Sequence, residues 1–428
     1  MRNTAPNQSD EALYLADAGY IDSDSLEMHR GHLVVTPGDD GSIEFIDAIP
    51  EGAKRIECAG RIVTRSFAVA HHHIYSCLAR GMPPPGEAPE SFVEILERIW
   101  WNLDRKLDLE MIRVSALAAG VEAAKCGTTL IIDHHASPNT VSGCLSTIAE
   151  SLERVGLSHV LCYELSDRDG PASRKAGLEE TREFLQAHQG LVGLHASFTV
   201  SDALLDQAME LAHEYETGIH VHVAEAESDQ EHCLATYGMR CVERFARAGA
   251  LDMSRTILAH CIHLDESERE RLGSSQAWVS QQAESNLNNG VGVCDARGFE
   301  EKMMLGTDGM NGDCLAAARA SFLAGQALDA PTPLAIYRRL RRVHEYLAGA
   351  GFVGDGPNNL VLLNYDPPTP ITKDNWPAHV VYALNRSHVD TVISNGRVIV
   401  SGGRSTLVDE QEIMSMAREQ ASRLWSRL

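Results

Sequence analysis

The stretch RIVTRSFAVAHHH, residues 61–73, is an apolar run that ends in three consecutive histidines. Side chains at positions i and i+2 of a strand point to the same side, so His71 and His73 share one face while His72 points away. Two imidazoles placed in this way can bind one metal ion at about 2.0–2.1 Å. A hydrogen-bonded histidine pair is the alternative, and the rest of the chain has to decide between them.

Seven more apolar runs follow, most of them separated by a polar loop and room for one helix. Within SDALLDQAMELAHEYETG (residues 201–218), the apolar residues share one helical face and Gly218 is a natural stop. Alternating strands and helices predict a parallel sheet, and eight such units predict an α/β fold of the (β/α)8 TIM barrel type. The later runs are TTLIIDHH (128–135), LSHVLCYELSD (157–167), LVGLHASF (191–198), GIHVHVAE (218–225), RTILAHCIHL (255–264), AWVSQQ (277–282) and KMMLGTDG (302–309).

Both ends of the chain have a different, β-rich character, with HLVVTP near the start and DTVISNGRVIVSGG near the end. Asn395–Gly396 is a strong hairpin turn signal. We therefore predict a small β-sandwich domain formed from both chain ends. The predicted domains are residues 1–60 (first part of the sandwich), 61–360 (barrel) and 361–428 (second part of the sandwich and a terminal helix).

Composition narrows the classes of partner. The chain has 37 basic and 60 acidic residues in 428, a net charge of −23, which disfavours binding to nucleic acid or to an anionic membrane surface. The first residues lack the basic and apolar regions of a signal peptide, and no apolar run approaches about 18 residues. Ten scattered cysteines without a CxxC pair are typical of reduced thiols, so we expect a cytoplasmic protein.

Polar residues recur at the carboxyl ends of the predicted strands, which face one common mouth in this fold. His222 and Glu225 end the fifth run, His260 the sixth and Asp308 the eighth. Imidazoles and a carboxylate make a donor set suited to one divalent ion, zinc or alternatively Fe(II), with a position left for water. Glu225 can carry protons above the metal, or alternatively serve as a carboxylate at a helix N-terminus.

A metal ion in this place would lower the pKa of water towards about 7 and supply hydroxide for attack on an sp² carbon. No phosphate-binding loop with a Walker lysine and no GxSxG elbow is present. The proline-rich segment 81–108, which contains Trp100–Trp101, is predicted to form a lid over the mouth, with burial of both tryptophans in the core as the alternative.

In combination these motifs resemble the amidohydrolase superfamily. HVHVAE, with Glu225 three residues after His222, is similar to the branch of cytosine deaminase, guanine deaminase and chlorotriazine hydrolase. The similarity to SsnA-type aminohydrolases, linked to purine catabolism, runs over nearly the whole chain. It is carried by HHHIYSCLARG (71–81), WWNLDRKLD (100–108), IDHHASP (132–138), HASFTV (195–200), SNLNNGVG (285–292) and LGTDG (305–309).

The resemblance implies roles for individual residues. It assigns His71, His73, His222 and Asp308 to the metal, Glu225 to proton transfer, and His260 to orientation of the attacking water, with Asp308 and His260 together taking the water's proton. It also implies that His195 contacts substrate. Members with two metals carry a bridging lysine, usually on strand four; LVGLHASF has none, so we predict one metal ion.

Two positions depart from the family pattern. Arg65–Ser66 stands where Pro-Gly is usual, and Glu284 stands before the Ser-Asn motif where the resemblance implies arginine. We expect Glu284 and Asn286 to lie near the substrate, with Glu284 favouring a ligand rich in N–H groups. Arg80 can bind a carbonyl or carboxylate of the substrate, or alternatively form a surface salt bridge.

These observations predict a mononuclear metal-dependent aminohydrolase, a deaminase that removes an amino group from a purine-, pyrimidine- or triazine-like heterocycle. One alternative is a cyclic amide hydrolase of the same fold that opens a hydantoin- or imidazolone-type ring. A second alternative is a non-catalytic binding protein. The expected partner is the small heterocyclic substrate, and a homodimer is open by analogy with other such barrels.

Overall fold

The computed structural model describes residues 11–428, and eight of its strands follow the eight predicted runs. Short apolar segments bounded by loops form these strands because they are buried on both faces, as in other parallel sheets. In chain order the strands are β1 (Leu13–Ile21), β2 (Met28–Val35), β3 (Ile43–Ile46), β4 (Arg55–Glu57), β5 (Ile62–Arg65), β6 (Phe67–His72), β7 (Thr128–His135), β8 (Ser158–Tyr163), β9 (Val192–Ala196), β10 (Ile219–Val223), β11 (Ile257–His260), β12 (Trp278–Gln281), β13 (Met303–Leu305), β14 (Leu360–Leu363), β15 (Val389–Ser394), β16 (Arg397–Ser401) and β17 (Arg404–Ser405).

Helices connect the barrel strands. The helix predicted within residues 201–218, α6, begins after Ser201, whose side chain accepts a hydrogen bond from the backbone of Leu204. This helix buries the predicted apolar face. In chain order the helices are α1 (Phe92–Ile95), α2 (Trp101–Asp104), α3 (Leu109–Lys125), α4 (Cys144–Val155), α5 (Gly170–Ala187), α6 (Asp202–Glu214), α7 (Glu227–Tyr237), α8 (Cys241–Arg247), α9 (Glu266–Ser274), α10 (Ala283–Asn288), α11 (Cys314–Gly325), α12 (Pro333–Gly349), α13 (Trp376–Tyr382) and α14 (Glu410–Trp425).

The strands β6–β8 and β9–β13 form two parallel sheets that follow one another around the barrel. Backbone hydrogen bonds join the sheets at both seams. The amide of Leu191 donates to the carbonyl of Leu161, at 3.1 Å, between β8 and β9. The amides of Thr307 and Asp308 donate to the carbonyl of His71, at 2.9 and 3.1 Å, between β13 and β6. The predicted TIM barrel is therefore confirmed.

The interior of the barrel is apolar at its base. Alternate residues of β6, β7 and β8, such as Ala68, Leu130 and Val160, form one buried cluster that includes Val343 and Tyr346 of α12. A second and larger cluster fills the layer between the strands and the surrounding helices. Apolar side chains and α12 occupy the base of the barrel. Polar side chains lie at the opposite end of the strands.

Strands from both chain ends form one nine-stranded sheet in the order β17-β16-β15-β14-β5-β1-β2-β3, with β4 also pairing with β1. Its buried side chains make a separate apolar cluster. The run 61–73 is divided at Ser66: β5 belongs to this sheet and only β6 enters the barrel. The domain boundaries at residues 60 and 360 stay predictions.

The segment between β6 and β7 covers the mouth of the barrel with α1, a π-helical turn (Leu96–Trp100) and α2. Trp100 and Trp101 are half-buried and line the cavity below, which agrees with the predicted lid. Among residues 11–428, none of the helices has both the length and the apolar character that crossing a bilayer requires.

Candidate active site

Seven buried histidines lie together at the carboxyl ends of the barrel strands. Neighbouring rings have centroids 4.7–5.9 Å apart. Such a concentration of imidazoles is costly in an apolar interior unless their nitrogens have partners. The seven are His71, His73, His134, His195, His220, His222 and His260.

A shift in strand register directs the first two histidines inward. From Val69 to His72, β6 advances by three residues while its partner β7 advances by two, so β6 contains one extra residue here. Ala68 and Ala70 belong to the interior cluster, so strict alternation would have pointed His72 inward as well. After the shift His71 and His73 face the axis, and His72 forms a hydrogen bond from its Nδ1 to Thr307 Oγ1 at 2.9 Å.

Left-handed backbone positions recur at the same end of the barrel. Ala224 after β10, His260 and Cys261 at the end of β11, and Asp308 after β13 have φ values of 49°, 73°, 50° and 53°. Residues other than glycine adopt this conformation at a cost of order 1–3 kcal/mol, and they persist where the surrounding structure enforces it. The backbone is therefore bent at the points that direct His260 and Asp308 towards the site.

Asp308 is the point on which the imidazoles converge. Its Oδ1 lies 3.4 Å from His71 Nε2 and 3.1 Å from His73 Nε2, and His73 Nε2 lies 3.1 Å from His222 Nε2. Ligands of one tetrahedral zinc ion, at about 2.0–2.1 Å from it, are roughly 3.3 Å from one another. His71, His222, His260 and Asp308 each offer a ligand atom within 4.8 Å of the others.

The opposite ring nitrogens are fixed by the scaffold, which directs each Nε2 towards the centre. His73 Nδ1 donates to the carbonyl of His134 at 2.6 Å, and His222 Nδ1 donates to the carbonyl of His195 at 2.7 Å. His71 Nδ1 lies 2.8 Å from His220 Nε2. His260 Nδ1 lies 2.8 Å from the side-chain amide of Asn286.

The donor set fits a divalent cation. The Nε2 atoms of His71 and His260 are buried without a hydrogen-bond partner, and such atoms call for a ligand. Burial lowers the pKa of His71 and of His222 well below the usual value, which keeps both rings neutral. Although burial opposes ionisation, contacts with His71 and His73 hold the pKa of Asp308 well below its usual range.

Glu225 follows β10 and is buried beside the cluster, with its Oε2 3.4 Å from His260 Nε2. Burial, and after it the negative charge of Asp308, raises the pKa of Glu225 well above the usual value. A carboxyl group with a raised pKa is suited to act as a proton donor.

A cavity opens above the cluster and beneath the lid. His73, His195, His222, Glu225 and Asp308 line its floor and walls. One wall of the cavity is aromatic. It is formed by Tyr75, which follows β6, and by the lid residues Phe92, Trp100 and Trp101. The aromatic lining suits a flat ring.

The structure does not bring three of the predicted substrate contacts to this cavity. Arg80 pairs with Glu122 of α3, which is the salt-bridge alternative. Glu284 lies half-buried at the start of α10, outside the cavity lining. Asn286 is fully buried and contacts His260 instead. The alternation of side-chain direction within a strand could not locate these three residues, because all of them lie beyond the ends of the strands.

Other residues of the site were missed in the sequence. Ser285 donates a short hydrogen bond to Asp308 Oδ2, which leaves Oδ1 for the histidines. Glu164 lies within the third predicted run, directly after β8, and lines the cavity, so the strand-end rule would have found it. Asp104 on α2 carries no strand signal, and its position depends on the lid.

Known proteins share this architecture and parts of the sequence. The family model described as "Amidohydrolase family" matches residues 63–341. A 5-methylthioadenosine/S-adenosylhomocysteine deaminase of Syntrophomonas wolfei is 29% identical over 397 residues, 86% of this chain and 88% of the relative. A 5′-deoxyadenosine deaminase of Methanococcus maripaludis is 25% identical over 402 residues, 89% of this chain and 92% of the relative.

Solved structures agree in fold. An adenosine deaminase from Xanthomonas campestris with bound zinc superposes with a TM-score of 0.82 at 17% identity, over 97% of this chain and 98% of the other. An atrazine chlorohydrolase from Arthrobacter aurescens in complex with zinc gives a TM-score of 0.78 at 16% identity, over 96% and 100%. At this level of identity the likeness concerns the fold alone.

Proposed function

This chain belongs to the amidohydrolase family, and from that premise we propose that it is a metal-dependent aminohydrolase that removes an amino group from a nitrogen heterocycle. The observation that carries the proposal is the convergence of Asp308 and the imidazoles beneath a cavity lined by Glu225. The deaminases among the similar proteins support the same reaction class, hydrolysis of a carbon–nitrogen bond other than a peptide bond.

His71, His73, His222 and Asp308 would hold one divalent ion, with His260 facing the same point. The ion, when bound, supplies Lewis acidity and lowers the pKa of water. Zinc is the proposed ion, supported by zinc in two solved structures of this fold, and Fe(II) is the alternative. The fourth barrel strand, β9, contains no lysine that could bridge a second ion, which supports a single-metal site.

The chain's own groups would move the protons. Glu225, whose pKa is raised, holds a proton at its carboxyl group and gives it to a ring nitrogen of the substrate. His260, held by Asn286, orients the attacking water, and its Nε2 lies 3.4 Å from Glu225 Oε2. Asp308 and His260 together accept one proton from the attacking water and return it to the amino group. Glu225 assists the departure of ammonia by taking up the proton of the newly added hydroxyl as the carbon–nitrogen bond breaks.

The test uses the purified full chain, its metal content and a panel of amino-purines, amino-pyrimidines and amino-triazines read by ammonia release. We expect about one metal equivalent and turnover of at least one compound. Glu225→Gln should retain the metal and lose activity by about 10² to 10⁴-fold. The matched control is Glu227→Gln, an exposed carboxylate two residues away, which should change neither.

The outcomes separate the alternatives. A native protein without metal would contradict the proposal. Formation of a new carboxylate without ammonia would favour the cyclic amide hydrolase.

Three finer statements belong to the same proposal. A role in purine catabolism is supported by relatives named as deaminases of adenosine derivatives. A cytoplasmic location is supported by ten free cysteines, nine of them buried. A homodimer remains a proposal by analogy, which sedimentation or light scattering would test.

A further inference from the structure

The cavity wall formed by the lid and the end of β8 contains more negative than positive charge. Arg168 donates hydrogen bonds to both oxygens of Asp104 and lies 3.3 Å from Asp169, which also pairs with Arg105 at 2.7 Å. These two arginines are thereby matched to two aspartates. Glu164, the third carboxylate of the group, has only a longer contact with Arg168, at 3.7 Å.

Glu164 lies at the carboxyl end of β8, is 7% exposed and lines the cavity. Its nearest basic atoms are His134 Nδ1 at 3.4 Å and an Arg168 nitrogen at 3.7 Å. Charge-assisted hydrogen bonds are about 2.7–2.9 Å long, so both contacts are longer than strong hydrogen bonds. The carboxylate oxygens of Glu164 can therefore accept further hydrogen bonds. Although burial opposes it, the fields of His195, His134 and Arg168 hold the pKa of Glu164 below its usual range.

The position of Glu164 relative to the reaction centre suits substrate recognition. Glu164, His195 and His222 each have a ligand-type atom within 4.8 Å of the others, and His222 belongs to the metal cluster. One ring that reaches the cluster can therefore also reach the carboxylate. Trp101, whose Nε1 is buried without a partner, lies beside His195 with ring centroids 5.8 Å apart.

An ionised carboxylate accepts hydrogen bonds and donates none. We propose that Glu164 is the specificity-determining residue of this enzyme, accepting N–H groups from the edge of the heterocycle that lies beside His195 and Glu164. The site then selects uncharged or cationic amino-heterocycles with several N–H donors, and it disfavours ligands with a phosphate or carboxylate. The inference rests on the proposed function and names its substrate class.

The experiment compares matched ligands on the metal-loaded full chain. One comparison is adenine with 2,6-diaminopurine, another is cytosine with 2,4-diaminopyrimidine, and a third is adenosine with adenosine 5′-monophosphate. We expect the compound richer in N–H groups to have the higher kcat/KM by about tenfold or more, as for a hydrogen bond to a charged group. The monophosphate should be at least about tenfold poorer than adenosine.

In Glu164→Gln the kcat/KM ratios of the paired substrates should fall towards one, while the variant retains about one metal equivalent. The matched control is Glu153→Gln, another glutamate beside a histidine (3.3 Å from His159 Nε2) but outside this cavity, which should leave the ratios unchanged. Ratios of substrates are the decisive measurement because a merely structural defect would lower all rates together.

Two results would overturn the inference: unchanged ratios in Glu164→Gln, or loss of a metal equivalent in that variant, which would make Glu164 a metal ligand. If no compound releases ammonia, the proposed function fails separately. The same pairs are then compared by ligand-induced shifts in Tm. A preference for N–H-rich ligands that Glu164→Gln abolishes would support recognition by Glu164, and equal shifts would refute it.

Discussion

Asp308 at the mouth of the barrel and Asp355 beneath its base are both buried carboxylates beside histidine rings, but their charges are balanced differently. Asp355 Oδ2 accepts hydrogen bonds from the Arg65 guanidinium at 3.0 Å and from His344 Nδ1 at 2.8 Å. In the described part of the chain, the basic groups within 4.0 Å of Asp308 are His71 and His73. At the base a permanent cation, Arg65, contacts the carboxylate, whereas among the described residues no arginine or lysine contacts Asp308.

The difference shows which polar cluster is structural. Arg341 donates to the carbonyls of Arg65 and Ser66, and Ser66 Oγ lies 2.6 Å from Thr129 Oγ1, so hydrogen bonds hold both residues that stand in place of Pro-Gly. Burial, offset in part by Asp355, lowers the pKa of His344 and leaves Arg65 as the counterion. A buried carboxylate without such a counterion, as at the mouth, implies that the cation comes from solution.

The largest expected effect is that of Asp308→Asn. Removing the carboxylate charge should abolish stoichiometric metal binding and lower kcat/KM by roughly 10⁴-fold or more, since the ion and a proton acceptor are lost together. Metal analysis and ammonia release measure both losses. If this variant still bound one equivalent of metal, Asp308 would not be needed to hold the ion, and the proposed difference between the mouth and the base would be wrong.

Asp355→Asn should have the reverse pattern. It leaves the buried Arg65 charge without its partner and should lower the free energy of unfolding by about 3 kcal/mol, with metal content and kcat per folded molecule unchanged. Denaturant unfolding of the metal-loaded protein measures the change. Loss of metal with unchanged stability would contradict the structural assignment.

The third prediction concerns pH. Although burial opposes it, contact with Asp308 raises the pKa of His73 to about 9 in the protein without metal, from an ordinary value of 6.5. A raised pKa stabilises the fold below pH 6.5, and this contribution is lost as pH rises through about 9. Because the metal needs the neutral ring, its affinity should rise over the same interval with release of a proton.

Thermal unfolding of the metal-free chain and calorimetry of metal binding measure this dependence. The Asp308→Asn variant is the control for the unfolding series, because it lacks the carboxylate that raises the pKa. A Tm of the metal-free wild type that does not fall between pH 6.5 and 9 would contradict the prediction.

The smallest expected effect is that of Asn286→Ala, which removes the contact to His260 Nδ1 but no proposed ligand. We expect kcat to fall by about 10 to 100-fold with the metal retained, as for other groups that orient residues of a metal site. A parallel loss of metal would show that Asn286 supports the whole cluster and not His260 alone.

Much of this molecule was predictable from local sequence patterns. Eight apolar runs with helical stretches between them determine the barrel, since each strand has to bury both faces. The position of His222, Glu225 and Asp308 at strand ends then predicts a common site, because all such ends meet at one mouth. The nine-stranded sheet was indicated by β-rich segments at both ends.

Other features were decided only by the tertiary structure. Alternation predicts that His71 and His73 share a face, but the register shift after Val69 decides that this face is the interior. Left-handed backbone at His260 and Asp308 depends on contacts from distant strands. Arg80 and Glu284 could not be assigned from local pattern, because whether a charge meets a partner or a cavity depends on which segments the fold brings beside it.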